Sequence, residues 1–123
     1  MIDSTNTTGK NFNAMTSYVK SVLNYFSYSE TSCRVGLISF DNFAYTRAYL
    51  NTYVTRLDLY QALDDIPIQK GSSNYYTALW LLYSDTFTVK RGDRLDVPNV
   101  VIMLTDNAPS QNVQSKLTSS MLT

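Results

Sequence analysis

Five consecutive apolar residues, Val100-Val101-Ile102-Met103-Leu104, run without a polar interruption and stop at Thr105-Asp106. A strand with one face in water alternates apolar and polar side chains. An unbroken run instead predicts a strand buried on both faces, as in a parallel sheet covered by helices. A hydroxyl and a carboxylate follow at once. They stand at the carboxyl end of that strand, the edge at which open α/β sheets bind ligands.

The rest of the chain alternates in the matching way. Met1-Ile2 drops straight into the hydroxyl-rich stretch from Asp3 to Gly9. This reads as the end of a strand that is too short to stand alone, so its earlier part is expected to be missing. Phe12, Met15, Val19, Val22, Leu23 and Phe26 recur at helical spacing and predict a helix over residues 11–27. Residues 34–40 read as a strand, Asp41-Asn42 as a turn, and residues 43–50 as a second strand antiparallel to it. Thr55-Arg56-Leu57-Asp58 has the spacing of a capping box, and Leu59, Leu63 and Ile66 continue a helix that Pro67 ends. Residues 70–74 form a loop, residues 75–87 a helix carrying Leu79, Trp80 and Tyr83, and residues 90–98 a charged loop. A last helix is expected from Ser110, with Val113, Leu117 and Met121 spaced four apart. Strands alternating with helices predict an α/β domain with a mainly parallel sheet.

Composition narrows the chemistry. The chain has 123 residues, which is one domain or most of one. Ten Lys+Arg balance ten Asp+Glu, so there is no basic excess for a nucleic-acid footprint or a polybasic membrane surface. No apolar run approaches the roughly 20 residues that span a bilayer, and no signal peptide opens the sequence. Histidine is absent, which excludes Ser-His and Cys-His mechanisms and His-ligated metals within this chain. Cys33 is the single cysteine, which excludes an internal disulfide and a Cys-rich zinc site. Any metal is therefore left to oxygen ligands, the preference of magnesium, calcium and manganese.

Such oxygens gather at two strand ends. Asp3 is flanked by Ser4, Thr5 and Thr7, and Asp106 by Thr105, while Ser72 and Ser73 lead into a helix. Two carboxylates among several hydroxyls suit a hard cation. The plainer reading is that Asp3, Thr5, Ser73 and Ser110 are helix caps and turn formers.

Here the sequence resembles the von Willebrand factor type A family, over nearly the whole chain. That family's metal-ion-dependent adhesion site opens with Asp-x-Ser-x-Ser, and this chain has Asp3-Ser4-Thr5-Asn6-Thr7. Gly9, Asn11-Phe12, Arg34-Val35-Gly36-Leu37 and Leu50-Asn51-Thr52-Tyr53 resemble the family's next motifs in order. Gly71-Ser72-Ser73-Asn74 with Ala78-Leu79 is similar to Gly-x-Thr-Asn-Thr-x-x-Ala-Leu. Val97-Pro98-Asn99-Val100-Val101 and Leu104-Thr105-Asp106 resemble the strand that ends Leu-Thr-Asp-Gly.

The resemblance implies a Rossmann-like open sheet, mainly parallel with one antiparallel edge strand and helices on both faces. It implies that residues 1–123 are a single partial domain, lacking most of the first strand and the C-terminal strands and helices. Such a segment alone is expected to fold poorly. It implies a metal site of Asp3, Thr5, Thr7, Ser73 and Asp106 holding Mg2+, or Mn2+ or Ca2+, with a position left for an acidic side chain of a partner. The departures are local. Threonines stand for both first-loop serines, Ser73 for a threonine and Asn107 for a glycine. Tyr75-Tyr76 replaces a small pair beside the site, where the rings either cover the metal or join the binding surface.

Three features carry a second reading. Arg91-Gly92-Asp93 spells a tripeptide that integrins recognise, but Gly92-Asp93-Arg94 also fits the family's ordinary Gly-x-Arg loop, and that reading is preferred. Asn6-Thr7-Thr8 is a glycosylation sequon inside the proposed metal loop. Cys33 is expected to be a buried, inert thiol unless its partner lies outside the chain.

The implied function is adhesion: an extracellular, secreted module that binds a protein ligand such as a matrix protein or collagen. There is no nucleic-acid partner and no membrane insertion. The alternative is a structural matrix module whose site is degenerate and holds no metal. Phosphoryl transfer of the haloacid dehalogenase type would need a second Asp two residues after Asp3, where Thr5 stands, so no enzymatic activity is expected.

Overall fold

The computed structural model of the chain describes residues 1–5, 11–29 and 31–105. The helix expected from Ser110, along with Thr7, Asp106 and the sequon at Asn6, lies outside these residues. The described elements are β1 (Ile2–Asp3), α1 (Phe12–Leu23), β2 (Leu37–Phe40), β3 (Ala44–Ala48), α2 (Arg56–Asp64) and α3 (Tyr75–Leu81). A π-helical turn over Leu82–Thr86 and a 3-10 turn over Val89–Arg91 follow.

The strands pair in the order β1-β2-β3, with β1 parallel to β2 and β3 antiparallel at the edge. Ile2 pairs with Ser39 and Asp3 with Phe40, so β1 ends level with the turn at Asp41. On its other side β1 meets Leu104 through a parallel bridge with Ile2. Period-2 alternation then assigns β2 to two cores. Leu37 joins Ile2, Phe12, Leu59 and Leu63 under α1 and α2, while Ile38 and Phe40 pack with Tyr75, Ala78 and Leu82 under α3. Helices therefore cover both faces of a mainly parallel sheet with one antiparallel edge, as expected.

Local chemistry explains where the helices start. Thr55 accepts a hydrogen bond from the Asp58 amide and opens α2, as the capping-box spacing predicts. Asn74 accepts from the Thr77 amide at 3.3 Å and opens α3. Among the described residues, no helix is long and apolar enough to cross a membrane.

Three expectations need correction. The 100–104 run is bridged only at Leu104, and Val100 is 78% exposed. The register explains this: with Ile2 opposite Leu104, partners for residues 100–103 would precede Ile2 in a parallel ladder. The first helix stops at Leu23, with Tyr25 and Phe26 exposed beyond it. The helix expected over residues 75–87 is α3 followed by a π turn, in which the Phe87 amide reaches back to the Leu82 carbonyl.

Candidate metal centre

Asp3 is the hub of the site. Backbone bonds hold it on both sides, its amide donating to the Leu104 carbonyl at 2.9 Å and the next amide, Ser4, donating to Phe40 at 2.9 Å. The carboxylate is fully buried. Its Oδ1 accepts from the Thr5 amide at 3.0 Å, a turn formed within the loop itself. Its Oδ2 accepts from two hydroxyls, Ser73 Oγ at 2.5 Å and Thr105 Oγ1 at 2.6 Å. Burial pushes the Asp3 carboxyl up, but the donors from Ser73, Thr105 and Thr5 outweigh it, leaving its pKa below the ordinary value.

Ser73 is placed by its neighbours. The cap of α3 is Asn74, so the reading of Ser73 as a helix cap fails and its hydroxyl is spent on Asp3. The loop before it is pinned to the turn between β2 and β3. Asn42 Oδ1 accepts from the Ser72 amide at 2.9 Å and the Ser72 hydroxyl at 2.7 Å, and the Asn74 amide donates to the Asp41 carbonyl at 2.9 Å. Thr5 is fully buried and bridges to Gln69. Ser4 turns away, its hydroxyl donating to the Phe40 carbonyl at 3.2 Å.

The structure thus brings Asp3, Thr5 and Ser73 together. It adds Thr105, a flanking hydroxyl outside the ligand set that the resemblance implies. Only its place beside Asp106 pointed to it. Tyr75 is buried, packs edge-on against Phe40 with ring centroids 5.6 Å apart, and donates to Thr105 Oγ1 at 3.2 Å.

This donor set is made of oxygen, which fits a hard cation. Among the described residues, no group of three or more His, Cys, Asp or Glu side chains comes together to hold a metal ion. Among the described residues, a cation here would draw on the Asp3 carboxylate and the hydroxyl oxygens gathered on it.

The integrin-like tripeptide is built into the frame. Arg91 Nε lies 3.0 Å from Asp85 Oδ1, and its guanidinium stacks 4.0 Å from the centroid of the Tyr49 ring. The Tyr49 hydroxyl donates to Asp85 at 2.8 Å, and it and Arg91 hold that carboxyl below its usual range. Gly92 has φ +98°, and its carbonyl accepts from Arg34 at 2.9 Å.

Known proteins share the pattern. The family model described as von Willebrand factor type A domain matches residues 1–121. The human von Willebrand factor A domain-containing protein 2 is 33% identical over 106 residues, covering 85% of this chain and 14% of that protein. The human collagen alpha-5(VI) chain is 25% identical over 115 residues, covering 92% of this chain and 4% of that one. The solved structure of proximal thread matrix protein 1 from the mussel byssus, with a zinc-occupied MIDAS motif, overlays at TM-score 0.75 and 20% identity. It covers 97% of this chain and 34% of that one. The chain therefore spans a small part of each.

Proposed function

This chain belongs to the von Willebrand factor type A domain family, and on that premise we propose that it is an extracellular protein-binding module acting through a divalent cation. Asp3, Thr5, Thr7, Ser73 and Asp106 hold Mg2+, or Mn2+ or Ca2+, and an acidic side chain of a matrix protein or collagen completes the coordination. The observation that carries this reading is the pair of hydroxyls on Asp3 Oδ2. An ionised carboxylate only accepts, so the Ser73 proton is held on Asp3 and its lone pairs are left to a cation. The zinc-occupied MIDAS of the byssal thread protein supports the same chemistry. The module binds and does not catalyse.

One observation favours the alternative of a degenerate site. Both Asp3 oxygens already accept hydrogen bonds, from Thr5, Ser73 and Thr105, so this carboxylate has partners without a metal. Calorimetric titration with Mg2+ or Mn2+ separates the two. Saturable binding that is lost in Asp3→Ala and in Asp106→Ala supports adhesion through the metal, and no binding supports the structural module.

We also propose that residues 1–123 form part of a larger domain. Support comes from a cavity of about 570 Å³ lined by Val35, Leu37, Val100, Ile102 and, from α1, Val19 and Val22. Ile2 pairs with Ser39 on one side and Leu104 on the other, so its two flanks lie one strand apart. Those flanks continue past Met1 and border a slot the width of one strand. An apolar extended segment joined to Met1 fits it. A higher melting temperature on adding such a segment supports this, and an unchanged one overturns it.

A further inference from the structure

We infer that Tyr75 is a positioning residue for the metal site, acting through its hydroxyl on Thr105 to lock the Thr105 proton onto Asp3. This inference rests on the cation-binding reading above for its functional meaning, and on the described hydrogen bonds for its geometry.

Directionality follows from which groups can donate. Asp3 Oδ2 accepts, so both Ser73 Oγ and Thr105 Oγ1 spend their single protons on it, at 2.5 and 2.6 Å. Each hydroxyl oxygen then keeps two lone pairs. Nothing so far distinguishes Ser73 from Thr105. Tyr75 does: its hydroxyl donates to Thr105 Oγ1 at 3.2 Å and takes up one of those lone pairs. Thr105 is thereby held as a link between Tyr75 and Asp3, while Ser73 is the hydroxyl left to offer its oxygen to a cation.

The ring is anchored well enough to do this. Tyr75 opens α3 and is 7% exposed, and its ring meets Phe40 at 83°. Phe40 pairs with Asp3 in the sheet. The same strand pair therefore seats both the carboxylate and the ring whose hydroxyl steers it. A threonine rotates about one bond, and a second fixed partner removes that freedom. The small residue that the family pattern places at this position lacks the reach of the Tyr75 ring to Thr105.

Tyr75→Phe tests this cleanly because it keeps the ring on Phe40 and removes only the hydroxyl. Two measurements are made on wild type, Tyr75→Phe, Thr105→Val and the double variant: Mn2+ affinity by calorimetry, and melting temperature without metal. We expect Tyr75→Phe to weaken Mn2+ about 3–10-fold and to lower the melting temperature by about 2–5 °C, a shift of one net hydrogen bond. In the Thr105→Val background the same change is expected to have a clearly smaller effect on both readings. Additive effects in the two backgrounds, or no effect of Tyr75→Phe in wild type, overturn the inference while leaving the cation site standing. If wild type binds no Mn2+, the proposed function fails, and the metal-free melting cycle still decides whether Tyr75 acts through Thr105.

Discussion

Thr105 Oγ1 lies 2.6 Å from Asp3 Oδ2, joining residues 102 positions apart in the chain. With Ser73 on the same oxygen, three separate segments close on one buried carboxylate. Removing the acceptor takes from the buried Ser73 hydroxyl and the part-buried Thr105 hydroxyl the carboxylate they share. Asp3→Ala is expected to lower folding stability by about 2–4 kcal/mol. Chemical denaturation measures it, and a loss below about 0.5 kcal/mol would contradict the network.

Asp3 also sets an acid limit. Burial raises its pKa, the Ser73, Thr105 and Thr5 donors lower it further than that, and the folded value ends below 3.8. The folded state therefore binds this proton more weakly than the unfolded chain. The resulting stabilisation is present above pH 3.8 and lost as pH falls through the folded value. Denaturation midpoints are expected to drop on acidification below about pH 4. In Asp3→Asn that part of the decline should flatten.

In a chain that starts at Met1, the free amino group titrates in a different window. The Met1 ammonium donates to the Ile102 carbonyl at 2.7 Å, and desolvation lowers its pKa from 8.0 to about 6. Between these values the unfolded chain holds the proton more tightly, so stability is expected to rise from pH 6 to pH 8. After allowance for solvent near the half-buried residue, the gain is about 1–2 kcal/mol. N-terminal acetylation keeps an N–H for Ile102 and should abolish the pH dependence. A slope that persists in the acetylated protein would assign it elsewhere.

The Arg91-Gly92-Asp93 corner is expected to behave as architecture. A Cβ on Gly92 would lie 2.8 Å from Asn51 Cβ and 2.9 Å from its amide nitrogen, at φ +98°. Gly92→Ala should cost about 2–3 kcal/mol of stability. Arg91→Ala, which loses the Asp85 pair and the Tyr49 stacking, should cost about 1 kcal/mol. Neither a soluble integrin-type tripeptide peptide nor Arg91→Ala is expected to change partner binding, and competition by the peptide would refute this.

The sheet was legible because its signals are local. Residues 37–40 and 44–48 pair around Asp41-Asn42, the turn their alternation requires, and Thr55 caps the helix its spacing marks. The apolar run at 100–104 misled over burial because exposure depends on what pairs with it, and Ile2 reaches only Leu104. The π turn had no marker, since Leu82 fits α and π registers alike. In the site, Asp3, Thr5 and Ser73 were readable from residue type and strand-end position. Thr105 and Tyr75 were not, because a hydroxyl's partner is set by how α3 packs on β2, which pairs with β1, and not by its neighbours in sequence.

The clasp between Asn42 and Ser72 binds the hairpin to a segment thirty positions downstream. Its consequence is evolutionary. The tip of a hairpin ordinarily tolerates insertions, yet here a lengthened tip would drag Ser73 away from Asp3. The two segments must drift together, and descendants of this chain should show fixed spacing in both or change in both.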